Sequence, residues 1–469
     1  MKLHVDNTWT HVIEATRAEV DWLASLMTVV TRSGPVTMFE RIAGGYFPTG
    51  FLRIVKDEIA ERFVLELVDD RPRPCRLEMA GAVPNWALCP PLRDDQRNAL
   101  ADFLRRGARG VIKVPVGGGK TRLAIALTRL LPCEWLFVVP GKDLTRNAAN
   151  ELHALTGETA GTFTTGRWER GTTNMTVATF QTLAKAKKKF PEAYKAFMQS
   201  MQGVIVDEVH ALPANTFFHA MLDLDNAFFR CGLSGTPFDR EETEENLRTI
   251  GLVGPALHTV SYQELESIGV LSHANIVQVP FHHDALPEGW SGESWAANYR
   301  KYIVFNRSRN AVIDALVQLA PKPVMVFVEE TRHGELLLEL GRKWCAASTF
   351  VYGDAWDSTR AEVLRKLNEK SLEVVYTSRI FNQGVDVPHL ASVVLAPAGK
   401  SVIANGQRLG RGSRRPNGKV EFFLYDIFDR GHPWFMRHAE RRREAFLAAG
   451  HEVEQKSLTA LLHSASEER

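Results

Sequence analysis

Short apolar runs rich in β-branched residues recur along most of the chain, and amphipathic stretches separate them. Runs that are apolar at every position are typical of parallel strands buried on both faces. One series of these runs lies at 110–114, 135–139, 175–179, 203–207 and 231–234. A second series lies at 275–281, 323–328, 348–352, 372–377, 391–396 and 420–425. The alternation predicts two successive doubly wound α/β domains with parallel sheets.

The first 88 residues follow a different pattern, with short predicted strands at 10–14, 36–42 and 63–68 and an apolar helix over 17–31. Prolines at 84, 90 and 91 then indicate a linker. We expect a small α+β domain at 1–88, α/β domains at 89–257 and 258–435, and a helical tail at 436–469.

Composition narrows the class of protein without identifying it. The 469 residues are 45% apolar and 24% charged, with a net charge of +2, as expected of a globular chain with several domains. The segment from Lys400 to Arg443, however, contains eleven Lys/Arg and only four Asp/Glu, which is a local basic bias. Five scattered cysteines favour reduced thiols, and the absence of a long apolar run or leader predicts a cytoplasmic protein without a membrane span.

Residues 114–121 read V-P-V-G-G-G-K-T, directly after a predicted strand and before an apolar helix. In that position, glycine-rich backbone can turn its amides towards phosphate oxygens at the positive end of a helix dipole. The residues expected to hold phosphate are Gly117, Gly118, Gly119 and Lys120, and Thr121 is expected to bind Mg²⁺. A glycine-rich turn with an incidental lysine is the alternative, because Val114 stands where the usual motif has glycine.

Two carboxylates end a predicted strand in the segment V-I-V-D-E-V-H at 204–210. Beside a phosphate loop, Asp207 can hold Mg²⁺ and Glu208 can activate the attacking water. A solvated acidic pair is the alternative, but each motif supplies the context that the other needs. Together they predict a site that uses ATP with Mg²⁺.

A third motif, Q-R-L-G-R-G-S-R-R at 407–415, lies in the second predicted domain. Arg411 and Arg414 are candidates for arginine fingers that stabilise charge on the γ-phosphate. The alternative is a solvated basic helix.

The ordered set of motifs resembles the superfamily 2 helicases and translocases, which have two tandem RecA-like domains. The matching segments are 92–96, 138–144, 177–183, 207–210, 234–237, 324–329, 377–388 and 407–414, so the resemblance spans roughly 90–430. The family pattern is closer to A-x-x-G-x-G-K-T, so valine for alanine at 114 is the only departure in the phosphate loop. The resemblance therefore implies an ATP-hydrolysing motor.

Family roles can be carried over residue by residue. On the nucleotide side, the resemblance places Gln96 at the adenine, with Arg93 beside it, and assigns a supporting role to Asp386. It also implies a catalytic role for Gln407, which it links to His210. It gives coupling roles to His210, Ser234 and Thr236. It implies nucleic-acid backbone contacts for Thr179, Arg379, Asn382 and Gly384.

The segments 258–276 and 437–453 resemble the UvsW-like phage helicases and the related XPB and restriction-translocase branch, and the N-terminal segment 44–52 resembles the small duplex-binding domain of that group. This resemblance implies a monomeric 3′–5′ helicase in the host cytoplasm that acts on branched, duplex and single-stranded DNA, and on RNA in R-loops. A duplex-tracking restriction motor, an RNA helicase and an ATP-switched sensor stay open. The basic run at 185–190 is either a solvated helix end or a duplex contact.

Overall fold

The computed structural model describes residues 1–467 except 32–33, 60–61, 75–83, 165–166, 213, 239–242, 285–293, 353–356, 379–389 and 400–420. These residues form two compact units, one of Met1–Pro115 with Gly119–Val260 and one of Val116–Gly118 with Ser261–Arg469. No described helix is long and apolar enough to cross a membrane.

The first unit begins with a small four-stranded sheet of order β5-β2-β1-β6, in which only the β1–β6 pair is parallel. Its elements are β1 (Lys2–Val5), β2 (Trp9–Glu14), α1 (Arg17–Leu26), β3 (Thr28–Thr31), β4 (Gly34–Thr37), β5 (Tyr46–Pro48), α2 (Leu52–Ile59) and β6 (Glu66–Asp69). Alternate residues of β1 and β2 pack against α1 and α2. The predicted helix over 17–31 was too long, because Thr28–Thr31 pairs with β4 as an antiparallel hairpin.

The rest of the first unit is an eight-stranded sheet of order β10-β9-β11-β8-β12-β13-β7-β14. Its elements are α3 (Asp94–Arg105), β7 (Arg109–Lys113), α4 (Lys120–Leu130), β8 (Trp135–Val139), α5 (Lys142–Thr156), β9 (Gly161–Thr164), β10 (Arg167–Glu169), β11 (Met175–Thr179), α6 (Phe180–Lys189), α7 (Pro191–Ser200), β12 (Gly203–Asp207), α8 (Asn215–Leu222), β13 (Phe229–Ser234), α9 (Glu244–Val253) and β14 (Ala256–Thr259). All pairs are parallel except β9–β10 at one edge. Every residue of β8, β11, β12 and β13 is buried, as the apolar runs predict.

The second unit contains a seven-stranded parallel sheet of order β17-β18-β16-β19-β20-β15-β21. Its elements are α10 (Tyr262–Ser267), β15 (His273–His282), α11 (Trp295–Tyr299), a π-helical turn (Arg300–Val304), α12 (Arg307–Leu319), β16 (Val324–Phe327), α13 (Thr331–Gly341), β17 (Ser348–Val351), α14 (Asp357–Asn368), β18 (Val374–Thr377), β19 (Ser392–Leu395), β20 (Glu421–Arg430), α15 (Pro433–Ala448), β21 (Val453–Gln455) and α16 (Leu458–Glu467). The predicted pair of tandem RecA-like sheets is therefore confirmed.

Two buried arginines hold the chain that follows β19. Arg309 binds both carboxylate oxygens of Asp429, at 2.7 and 3.0 Å, and donates to the carbonyl oxygen of Ala396 at 2.8 Å. Arg442 of α15 pairs with Asp426 at 2.9 Å and donates to the carbonyl oxygen of Gly399 at 3.0 Å. Both guanidinium groups connect β20 to this segment.

The small N-terminal sheet is joined to the eight-stranded sheet through α9. Pro48 and Phe51 pack on Gly251, and Ile250 belongs to the same apolar cluster as β1 and β2. Arg230 lies fully buried between the two sheets and donates to Thr8 Oγ1 at 3.2 Å. The N-terminal sheet and the eight-stranded sheet thus each pack apolar side chains against residues of α9.

Candidate active site

The phosphate loop joins β7 to α4 at the carboxyl edge of the eight-stranded sheet. Gly117 and Gly119 have φ values of 90° and 92°, a left-handed conformation that favours glycine. Val114 instead continues the strand: its side chain is buried, and its amide donates to the carbonyl oxygen of Ser234 at 2.9 Å. The structure therefore requires no glycine at position 114, and valine fills the core there.

Gln96 lies against this loop at the start of α3. A Cβ added to Gly119 would lie 2.5 Å from Gln96 Nε2, so the Gln96 amide lies directly against the loop. Gln96 Oε1 accepts from the Arg93 amide at 3.2 Å, and the Arg93 guanidinium binds Asp95 through two hydrogen bonds at 2.9 and 2.8 Å. The structure thus brings Gln96 and Arg93 to the phosphate loop, where the sequence predicts an adenine contact.

Lys120, Asp207 and Glu208 meet where β7 and β12 end. The Lys120 ammonium lies 3.7 Å from Asp207 Oδ1 and donates directly to Glu208 Oε1. Burial raises the pKa of Asp207 to about 6, and Glu208 adds to the rise, while Lys120 acts in the opposite direction. Burial alone would lower the pKa of Lys120, but the two carboxylates outweigh it and raise that pKa. Lys120 is therefore a charged group at neutral pH.

Glu208 is connected to the end of the neighbouring strand, β13. Ser234 Oγ donates to Glu208 Oε2 at 3.4 Å and lies 3.2 Å from His210 Nδ1. The amide of Thr236 donates to the same serine oxygen at 3.2 Å. Glu208 itself has a φ of 51°, a conformation that costs a non-glycine residue about 1–3 kcal/mol. Together with Lys120, the side chains of Glu208, Ser234 and His210 form one connected polar group, and its strained member, Glu208, is the predicted catalytic base.

The chemistry of these residues fits a nucleoside triphosphate with Mg²⁺. The left-handed glycines lie at the N-terminus of α4, which attracts anions. Asp207 and Thr121 offer the carboxylate and hydroxyl oxygens that Mg²⁺ takes together with substrate phosphates. Among the described residues no group of three or more His, Cys, Asp or Glu is arranged to hold a metal.

Other predicted residues lie elsewhere or outside the described part of the chain. Thr179 is buried and caps α6, where its Oγ1 accepts from the Thr182 amide at 3.1 Å. The remaining predicted site residues lie outside the described ranges: Arg379, Asn382, Gly384, Asp386, Gln407, Arg411 and Arg414. Their roles stay predictions.

Sequence analysis missed the two arginines that hold the N-terminal sheet. Among the residues that the structure describes, no carboxylate lies within hydrogen-bond distance of Arg230, which donates instead to Thr8 and to four backbone carbonyl groups. Burial lowers the pKa of Arg230 to about 10. Arg109 donates to the carbonyl oxygen of Asn7 at 2.8 Å. Each arginine stands at one end of an apolar run, so the pattern alone gives no sign that it is buried.

Comparisons with known proteins agree with this geometry. The family model described as "Type III restriction enzyme, res subunit" matches residues 90–239, and "Helicase conserved C-terminal domain" matches residues 308–415. Together they cover more than half of the chain. The two matches fall on the two parallel sheets.

The ATP-dependent DNA helicase uvsW of Enterobacteria phage T4 is 22% identical over 350 residues, which are 71% of this chain and 68% of that protein. The DNA 3′–5′ translocase XPB2 of Sulfurisphaera tokodaii is 24% identical over 392 residues, 75% of this chain and 84% of that protein. The chain spans about half the length, 48% to 52%, of three further relatives at 27% to 28% identity. Among solved structures, S. cerevisiae Dbp5 bound to RNA and ADP BeF3 matches with a TM-score of 0.55 at 13% identity. The match covers 80% of this chain and 92% of Dbp5, and it shows that the two proteins share a fold. The chain therefore belongs to the superfamily 2 helicases, of the UvsW- and XPB-like type.

Proposed function

We propose that the chain is an ATP-dependent DNA motor that unwinds or remodels branched DNA and moves 3′ to 5′. The observation that carries this proposal is the connected group of Lys120, Glu208, Ser234 and His210. It joins a phosphate-binding lysine and a hydrolytic carboxylate to the end of another strand. Such a connection can transmit a change at the phosphate to the rest of the sheet.

The residues of the site have complementary tasks. Lys120 exchanges its contact with Glu208 for the phosphates, which frees the carboxylate to accept a proton from the attacking water. Mg²⁺, held by Asp207 and Thr121, would neutralise charge that develops on the phosphate oxygens. As the water oxygen bonds to the γ-phosphorus and ADP leaves, protonated Glu208 still neighbours Ser234, whose hydrogen bonds then change partners.

DNA as the partner is supported by the names of the relatives, a DNA helicase and a DNA translocase, and 3′–5′ movement by the name of the latter. Branched substrates follow from the likeness to uvsW. We assign residues 1–88 to substrate binding, 89–257 and 258–435 to the motor, and 436–469 to a helical tail. Single-stranded DNA, RNA in R-loops and a monomeric state belong to the same proposal.

The match to the restriction-enzyme subunit favours a second candidate, a motor that tracks duplex DNA without separating its strands. Both candidates hydrolyse ATP with the same residues. They differ in whether a labelled strand is released from a fork or junction.

The hydrolytic role is tested with Glu208→Gln, which keeps the shape of the side chain but removes the base. We expect kcat for ATP hydrolysis to fall by about 100-fold or more, with DNA binding retained. Glu169→Gln is the matched control, because that glutamate is exposed on β10 and pairs only with Arg167 within the described structure. Wild-type turnover in Glu208→Gln would refute the assignment of the base.

The substrate is tested by ATPase stimulation and strand release on single strands, blunt duplex, fork and four-way junction, each in DNA and RNA. The proposal expects forks and junctions of DNA to release strands faster than blunt duplex does. Stimulation by duplex without strand release would support the duplex-tracking motor instead. A preference for RNA would refute the choice of DNA.

A further inference from the structure

A basic surface lies on α6, the first helix of the hairpin that α6 and α7 form. Residues 181 and 182 precede residue 185 by four and three positions, and residues 188 and 189 follow it by three and four, so the five residues share one face of α6. Lys185, Lys188 and Lys189, here called the lysine face, are exposed on it. Phe180, Leu183 and Ala186 are buried on the opposite side.

The lysines of α6 differ in their partners. Lys187 pairs with Asp223 at 2.5 Å, and Tyr194 of α7 donates to the same carboxylate at 2.7 Å. Within the described structure, no acidic side chain pairs with any of the three residues of the lysine face. The sequences of α6 and α7 contain five lysines and one acidic residue, Glu192. Three positive charges therefore remain available to an anionic partner.

An aromatic ring adjoins this charge. Phe190, at the corner between the two helices, is 42% exposed. Its backbone is fixed on both sides, because its amide donates to Ala186 at 2.8 Å and its carbonyl oxygen accepts from Tyr194 at 2.9 Å. Exposed rings beside basic side chains are the usual means of holding unpaired bases and the strand that carries them.

Lysines near a helix C-terminus also stabilise the helix dipole, which accounts for Lys188 and Lys189 in the last turn. The dipole effect does not account for Lys185, one turn earlier, or for an exposed ring. It also predicts no change in how nucleic-acid binding depends on salt, which makes the two explanations separable.

We propose that the lysine face and Phe190 bind a single strand of the nucleic acid on which the motor acts: the ammonium groups contact the phosphates and the ring stacks on one unpaired base. This inference rests on the proposed function and extends it to a specific surface. From residue 185 to residue 189 the helix advances about 6 Å, so the surface engages a short stretch of two or three nucleotides.

The test measures binding of a fluorescent oligo(dT) by anisotropy, without ATP, at several salt concentrations. For the triple variant Lys185→Gln, Lys188→Gln, Lys189→Gln, the slope of log K against log salt should become shallower by about two, or about 0.7 for each lysine. Binding at 0.1 M salt should weaken by roughly 100-fold. The corresponding arginine variant should restore both values.

Lys187→Gln is the matched control, because it removes the same charge from the same helix on the side that faces Asp223. An unchanged slope is expected for it. A wild-type slope in the triple variant, or an equal loss per lysine in Lys187→Gln, would overturn the proposal. A change seen on blunt duplex but not on the single strand would overturn it as well. Thermal unfolding of each variant shows whether the helices remain folded.

The role of Phe190 has its own control. Phe190→Ala should weaken binding to oligo(dT) about five-fold or more, and it should leave binding to an abasic strand unchanged. An equal loss on both strands would exclude base stacking. Because these measurements use no ATP, they stand even if Glu208→Gln retains full hydrolysis, so failure of the motor and failure of this surface are distinguishable.

Discussion

Gly50→Ala should detach or displace the N-terminal sheet from α9. Gly50 is buried in the 3₁₀ turn at Thr49–Phe51, and its Cα faces the backbone of the helix. An added Cβ would lie 1.9 Å from the carbonyl oxygen of Ile250 and 2.5 Å from that of Gly251. Both are backbone atoms, so no rotation of a side chain can relieve the overlap.

The size of the effect follows from this geometry. A comfortable contact needs about 3.4 Å, so the turn must move by about 1.5 Å, and a shift of that size disturbs the surrounding packing by about 1–3 kcal/mol. Three hydrogen bonds cross the same interface, from Asn7 to the Asp225 carbonyl oxygen at 3.0 Å, from Arg109 at 2.8 Å and from Arg230 at 3.2 Å. Each contributes about 1 kcal/mol, and losing one of them adds to the packing cost, so we expect a loss of about 2–4 kcal/mol in the free energy of unfolding.

Urea unfolding gives that free energy, and hydrogen exchange of the β1 and β2 amides shows where the change occurs. Gly141→Ala is the control, because its added Cβ meets nothing within 4 Å and its φ is −153°. It should alter stability by less than about 0.5 kcal/mol. If Gly50→Ala unfolded like the wild type, with unchanged exchange in β1 and β2, the docking described here would be wrong.

Three further predictions concern single side chains. Ser234→Ala removes the hydrogen bond to Glu208, so ATP hydrolysis should continue while strand release per ATP falls. Loss of about 1.4 kcal/mol of coupling free energy implies a fall of about ten-fold. Equal losses in the ATPase assay and the strand-release assay would contradict this. Arg442→Met leaves the Asp426 carboxylate buried without its cation and should destabilise the chain by about 3–5 kcal/mol, and Asp426→Asn should restore part of that loss in urea unfolding. Burial lowers the pKa of His451 to about 4, so between about pH 4 and 6.5 the unfolded chain binds more protons than the folded chain. The free energy of unfolding therefore falls as the pH drops through that window, by up to about 1.4 kcal/mol per pH unit. His451→Gln should reduce this slope of stability against pH, and equal slopes in the variant and the wild type would exclude the effect.

The central strands of both large sheets could be predicted closely from the sequence, because a strand buried on both faces is apolar at most positions, whereas β9, β10, β14 and β21 were not predicted. The run at 135–139 is β8 without any change of bounds, and the run at 203–207 is β12. The placement of Lys120, Asp207 and Ser234 could also be predicted, since parallel strands end at the same edge of the sheet; their roles stay predictions. The helix over 17–31 failed because apolar residues at its end, Val29 and Val30, fit either a helix or a hairpin, and pairing with β4 decided the outcome.

The attachment of the N-terminal sheet could not be predicted, and the reason is physical. It depends on a glycine that makes room for a distant helix and on arginines that satisfy backbone carbonyl groups instead of carboxylates. A glycine in F-P-T-G is equally suited to an ordinary turn, and only the presence of Ile250 above Gly50 makes it necessary. An arginine at the start of an apolar strand usually indicates a solvent-exposed end, whereas Arg230 is fully buried and donates to Thr8, more than two hundred positions away. Patterns along the chain report which face of an element is buried, while the identity of what covers it belongs to the tertiary structure.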